Sequence, residues 1–183
     1  MNEPEFHAWK DHVLDSVRSI ANNMPDRPDS DFAPVLLLVG KHGFRVKCLH
    51  GVIDTPEQKD RFLDWLTQQL AKNQAEYAAT VISCWQRVLD IDNPLDEVAF
   101  GLSCEFGVRN DPKRTEIVMV EVASRDGQDV TLSANITRSP DRQPTIDDFQ
   151  DFGTKLGDDA KGIGRMANVL SRAFRKAFPK APA

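Results

Sequence analysis

An α+β domain built on a mostly antiparallel sheet is the fold class this sequence predicts, and three observations predict it. The stretch Thr115 to Arg138 holds two strand-like runs joined at Asp126-Gly127, the strongest short-range hairpin signal. Gly40-Lys41-His42-Gly43 reverses the chain between the aliphatic run Val35–Val39 and an alternating run carrying Phe44, Val46 and Cys48. Apolar stripes at helical spacing stand near both chain ends and between the hairpins. Together they give one domain over residues 1–183, with a sheet of about five strands (two hairpins plus a central strand). The element order is α-β-β-α-β-β-β-α, with room for a further strand near 98–108.

Residues 4–23 read as an amphipathic helix, with Phe6, Trp9, Val13, Leu14, Val17, Ile20 and Ala21 on one stripe. Asn22 to Pro34 carries Pro25, Pro28 and Pro34 and reads as a connecting loop. Val35–Val39 is uninterrupted, as expected for a strand covered on both faces. In its partner, Arg45, Lys47 and Leu49 alternate with Phe44, Val46 and Cys48, so one face is wetter. Thr55-Pro56-Glu57-Gln58 is a helix start, with Thr55 as cap, Pro56 at the first helical position and Gln58 as the capping-box partner. That helix runs to about Lys72 with Phe62, Leu63, Leu66 and Leu70 inward. A central strand begins at Thr80 with Val81-Ile82-Ser83-Cys84-Trp85.

From Leu95 to Val108, apolar residues occupy every second position on a backbone loosened by Gly101 and Gly107. This stretch reads as another strand, an ordered loop over the core, or an arm reaching a second subunit. In the hairpin that follows, Glu116–Ala123 is nearly continuous in its apolar character, whereas Val130, Leu132, Ala134 and Ile136 alternate with polar residues. Ser139–Pro144 reads as a polar loop, and Thr145-Ile146-Asp147-Asp148 as a second capped helix start. The last helix, Arg165–Phe178, has a stripe of Met166, Val169, Leu170, Ala173, Phe174, Ala177 and Phe178.

Composition narrows the function classes. Hydrophobic content of 40% and charged content of 28% are those of an ordinary globular domain, and a net charge of −5 disfavours generic binding to nucleic acid or anionic membrane. No apolar run approaches the roughly 20 residues that cross a bilayer. Met1-Asn2-Glu3-Pro4-Glu5 lacks the basic-then-apolar order of a signal peptide. Three widely spaced cysteines suggest free thiols rather than a disulfide framework, so the expected compartment is cytoplasmic.

No motif brings reaction chemistry with it. Gly162-Ile163-Gly164-Arg165-Met166-Ala167 spells a dinucleotide fingerprint, but no strand precedes it and no acidic residue follows for the ribose, so no cofactor is expected. Cys48 and His50 share a strand face, and with Cys104 they form the basis of a small hydrolase-like alternative; Cys84 and Cys104 sit in apolar periodicity, where cysteine packs as a small hydrophobe. Asp147 and Asp151 would share a helix face and offer paired carboxylates, but first-turn acids serve a helix dipole equally well, and no metal is expected. Arg165, Arg172, Arg175 and Lys176 give the last helix a basic side, the basis of a second alternative: phosphate or nucleic-acid contact.

The Trp-bearing strand Val81–Val88, then Asn110-Asp111-Pro112-Lys113-Arg114-Thr115-Glu116-Ile117-Val118, the Arg125-Asp126-Gly127 turn and a closing strand carry a resemblance over residues 75–149. This stretch resembles a group of small bacterial and phage-encoded proteins of uncharacterised function. The resemblance implies a compact α+β unit from a bacterium or phage and transfers no activity.

The leading expectation is therefore a non-enzymatic interaction or regulatory module, homo-oligomeric or engaged with a protein partner. Its expected interface is Val98, Phe100, Leu102, Phe106 and Val108, because apolar residues at alternate positions need cover.

Overall fold

The structure, a computed structural model, describes residues 3–22, 34–48, 55–86, 93, 95, 98, 111–139, 142–151 and 168–179. In chain order these form α1 (Glu3–Asn22), β1 (Val35–Gly40), β2 (Gly43–Cys48), α2 (Pro56–Asn73), β3 (Ala75–Gln86), β4 (Thr115–Ser124), β5 (Asp129–Ser139), β6 (Arg142–Ile146), β7 (Gln150–Asp151) and α3 (Val169–Ala177). The sheet runs β2-β1-β3-β4-β5-β6, every pairing antiparallel, with β7 also on β5 beyond the end of β6.

Period-two alternation sorts the strand side chains onto two faces, each with its own interior. On one face Val35, Leu37, Ala79, Val81, Val118, Val120, Val122, Ala134 and Ile136 pack beneath Phe6, Trp9, Val13 and Val17 of α1. On the other, Leu36, Leu38, Ala78, Ile82 and Ala123 pack beneath Phe62, Leu66 and Leu70 of α2 and Val169, Leu170, Ala173 and Phe174 of α3. The α+β class, the helices at both ends and in the middle, and the two-sided burial of β1 match the sequence reading. β1 is aliphatic throughout because both of its faces are covered.

β2 and β3 flank β1 and both run antiparallel to it, so they are parallel to one another, and α2 supplies the crossover between them. The start of α2 follows its local signals: Thr55 Oγ1 accepts from the Gln58 N–H at 3.2 Å while Gln58 Oε1 accepts from the Thr55 N–H at 2.9 Å. Its end is a left-handed Gln74 at φ 47°. β3 then begins at Ala75, earlier than Thr80, because Ala75, Ala78 and Ala79 are fully buried where helices press on the sheet.

Two sequence expectations are overturned between Ser139 and Asp151. Within the expected polar loop Ser139 ends β5 and pairs with Arg142 of β6, and the expected helix start at Thr145 is the end of strand β6. Thr145 pairs with Thr137 and Ile146 with Ile136, and Ile146 packs into the α1-side interior, so tertiary pairing outweighs the local capping pattern. Asp147 therefore does not share a helix face with Asp151; it follows β6, and its side chain accepts from Asn135 Nδ2 at 3.2 Å.

Candidate functional site

The sheet order leaves β2 with a hydrogen-bonded neighbour on one side only, among the described residues. Its position follows from the sequence: Lys41-His42 forms a two-residue turn and Gly43 takes φ +75°, which folds β2 back onto β1. In such a hairpin the pair flanking the turn, Gly40 and Gly43, is hydrogen-bonded. Alternation then directs the main-chain groups of Phe44, Val46 and Cys48 outward from the sheet.

The side chains on this edge are divided by face. Phe44 and Val46 oppose Val39 and Leu37 and so share the α1 face, where they remain 45% and 52% exposed. Phe44 is not loose: its ring meets Trp9 edge-on at 6.1 Å and His12 at 5.9 Å, and Trp9 in turn lies 6.4 Å from Tyr77. The phenol of Tyr77 donates to Glu5 Oε2 at 3.3 Å; burial first, and Glu5 second, raise its pKa. Arg45 and Lys47 oppose Leu38 and Leu36 and so lie on the α2 face. Among the described residues both are without a salt-bridge partner, as is Lys41 at the turn. The result, among the described residues, is an open strand edge with an anchored aromatic on one face and two unpaired cations on the other.

Of the residues expected to form an interface, Val98 is the one within the described residues. Leu95 and Val98 are 76% and 63% exposed, and the backbone at both is helical rather than extended. Phe100, Leu102, Phe106 and Val108 lie outside the described residues. Of the expected anion-binding set, Arg172, Arg175 and Lys176 are exposed on α3, but Lys176 Nζ is held by Asp64 Oδ1 at 2.6 Å. Arg165 lies outside the described residues.

Of the two thiols within the described residues, Cys84 is not set up for nucleophilic work. The Cys84 thiol is pushed up to about 11, by burial first and by the Glu116 carboxylate second, so it stays protonated at neutral pH. Cys48 is exposed at the end of β2; His50 and Cys104 lie outside the described residues. No three potential metal ligands gather among the described residues.

Three carboxylates are buried among the described residues, Asp111, Glu116 and Glu121, and the last two have partners on other elements that the sequence reading did not foresee. Glu116 receives Arg138 in a two-point contact, Nε to Oε2 at 2.6 Å and Nη2 to Oε1 at 2.8 Å. Glu121 is fully buried under α3, whose N-cap Asn168 makes no side-chain cap. Its Oε1 accepts from the N–H groups of Leu170 at 3.0 Å and Ser171 at 3.1 Å, so a strand carboxylate caps the helix from outside it. Desolvation raises the Glu121 pKa to about 7 against the opposing pull of these N–H groups. Of the residues sequence reasoning missed, only Arg45 and Lys47 left a trace: cations alternating along a strand, the usual protection of an open edge. No protein-family model, curated protein or solved structure matches the chain.

Proposed function

We propose that this chain is a non-enzymatic protein-interaction module that receives its partner on the β2 edge. The observation that carries this reading is the open strand with Phe44 held partly exposed by Trp9 and His12. An ordered exposed aromatic beside outward main-chain donors and acceptors is the equipment of strand addition. The test is photo-crosslinking in cells from a reactive side chain placed at Phe44 or Val46, with exposed Gln68 of α2 as the control position. One discrete adduct from the edge positions and none from Gln68 supports the reading. Equal adducts from all three, or none from the edge, removes it.

Self-association is the second part of the proposal, and Leu95 with Val98 supports it as two exposed apolar residues close in sequence. Sedimentation velocity of the wild type should give a closed oligomer, and the Leu95→Ser/Val98→Ser variant a monomer. A monomeric wild type at high concentration ends that part.

A further inference from the structure

We infer that the occupant of the β2 edge is an extended segment of another protein in which acidic and apolar residues alternate; this rests on the interaction reading above. Three features of the edge select that chemistry. The outward main-chain groups of Phe44, Val46 and Cys48 call for a strand, since only an extended segment repeats donors and acceptors at this spacing. A strand paired there presents every second side chain to the α1 face, beside Phe44 and Val46 with the rings of Trp9 and His12 behind them, so those positions are apolar. The intervening positions face Arg45 and Lys47, which bring two charges with no salt-bridge partner among the described residues, so those positions are acidic.

The same charges exclude a second copy of β2 as the occupant. A symmetric β2–β2 pair sets Arg45 and Lys47 of one protomer against those of its partner on the same sheet face, and like charges opposed across strands repel. The cations thus act twice, attracting an acidic strand and rejecting self-pairing.

The test uses the full chain and short labelled peptides, followed by amide chemical shifts and fluorescence anisotropy. One peptide alternates glutamate and valine; a second has the same composition in two blocks; a third alternates lysine and valine. The first should bind, shifting the amides of Phe44, Val46 and Cys48, and should weaken as salt rises. The block and lysine peptides should bind at least about tenfold more weakly. Arg45→Glu/Lys47→Glu, at one exposed and one half-buried position and with the fold checked by its circular dichroism, should lose the first peptide by about tenfold and gain the lysine peptide. Equal binding of the alternating and block peptides, shifts away from β2, or no binding of any peptide overturns the inference. If crosslinks form at Phe44 while the acidic peptide fails, the interaction reading stands and the acidic partner falls.

Discussion

Gly40 is required by proximity rather than by backbone angle. A Cβ there would lie 2.8 Å from the Gln74 carbonyl oxygen and 2.9 Å from Ala75 Cα, and closer still to the Asn73 carbonyl, all of them backbone atoms that cannot swing away. Gly40→Ala should therefore cost about 1–3 kcal/mol, read as a fall in Tm of roughly 2–4 °C per kcal/mol. Gly43→Ala, at a positive φ but in open space, should cost less, and the order of the two checks the cause. The Glu116–Arg138 pair is largely buried, so removing one member strands a charge: Arg138→Ala should cost about 3 kcal/mol in urea unfolding, and Glu116→Leu/Arg138→Met should recover most of it. Thiol chemistry separates by burial, and a small alkylating reagent at neutral pH should modify exposed Cys48 at least about tenfold faster than Cys84, read by peptide mass. The sequence shows a glycine at a turn and an Arg–Glu set on neighbouring strands. It does not show that the carbonyl of Asn73 closes on Gly40, because that contact exists only once α2 has crossed over β1.

Whether an element is legible depends on whether its cause is local. The capping box at Thr55 is read and found because donor and acceptor sit three residues apart. Thr145-Ile146-Asp147-Asp148 has the same appearance and forms a strand end instead, since Ile136 and Thr137 bid for those residues from β5. The α3 anchor is the extreme case: Glu121 stands in an apolar strand and its partners are Leu170 and Ser171, so no local pattern reveals the pair. The anchor carries a pH signature. With its pKa raised from an ordinary 4.5 to about 7, folded Glu121 holds a proton across that window which the unfolded chain has released. Its contribution to stability is thus fully present below about pH 4.5 and is lost as pH rises through about 7. Asp129, which accepts from Ser171 Oγ at 3.0 Å, adds to the upward push. Glu121→Gln removes this titration, so the urea midpoint of the wild type should fall relative to the variant between about pH 5 and 7. Parallel pH profiles would show that the carboxyl does not titrate there. Glu121→Ala leaves the helix N–H groups buried without an acceptor and should speed exchange of the Leu170 and Ser171 amides.

Viewed across the whole sheet, the two margins are opposite in charge. β2 and its turn present Lys41, Arg45 and Lys47, while the far margin presents exposed Asp147, Asp148 and Asp151 around β6 and β7. Two such margins could join copies head to tail, and a heterologous contact that does not close grows into a fibre. The acidic margin is built against this. Pro144 lacks a main-chain donor within β6, and residues 147–149 interrupt the ladder between β6 and β7, so the margin never offers a continuous row of partners. Among the described residues the β2 margin has no proline, no break and charge as its protection, a protection that a partner of opposite sign converts into attraction. The asymmetry predicts behaviour in dilute buffer, where charge attraction between copies is least screened. Light scattering on lowering the salt should show no growth in mass, despite margins of opposite sign. Addition of the alternating glutamate–valine peptide under the same conditions should occupy β2 and leave the molecular mass of the assembly otherwise unchanged. Progressive growth at low salt, abolished by Arg45→Glu/Lys47→Glu, would instead mean that the acidic margin of a second copy is what this strand receives.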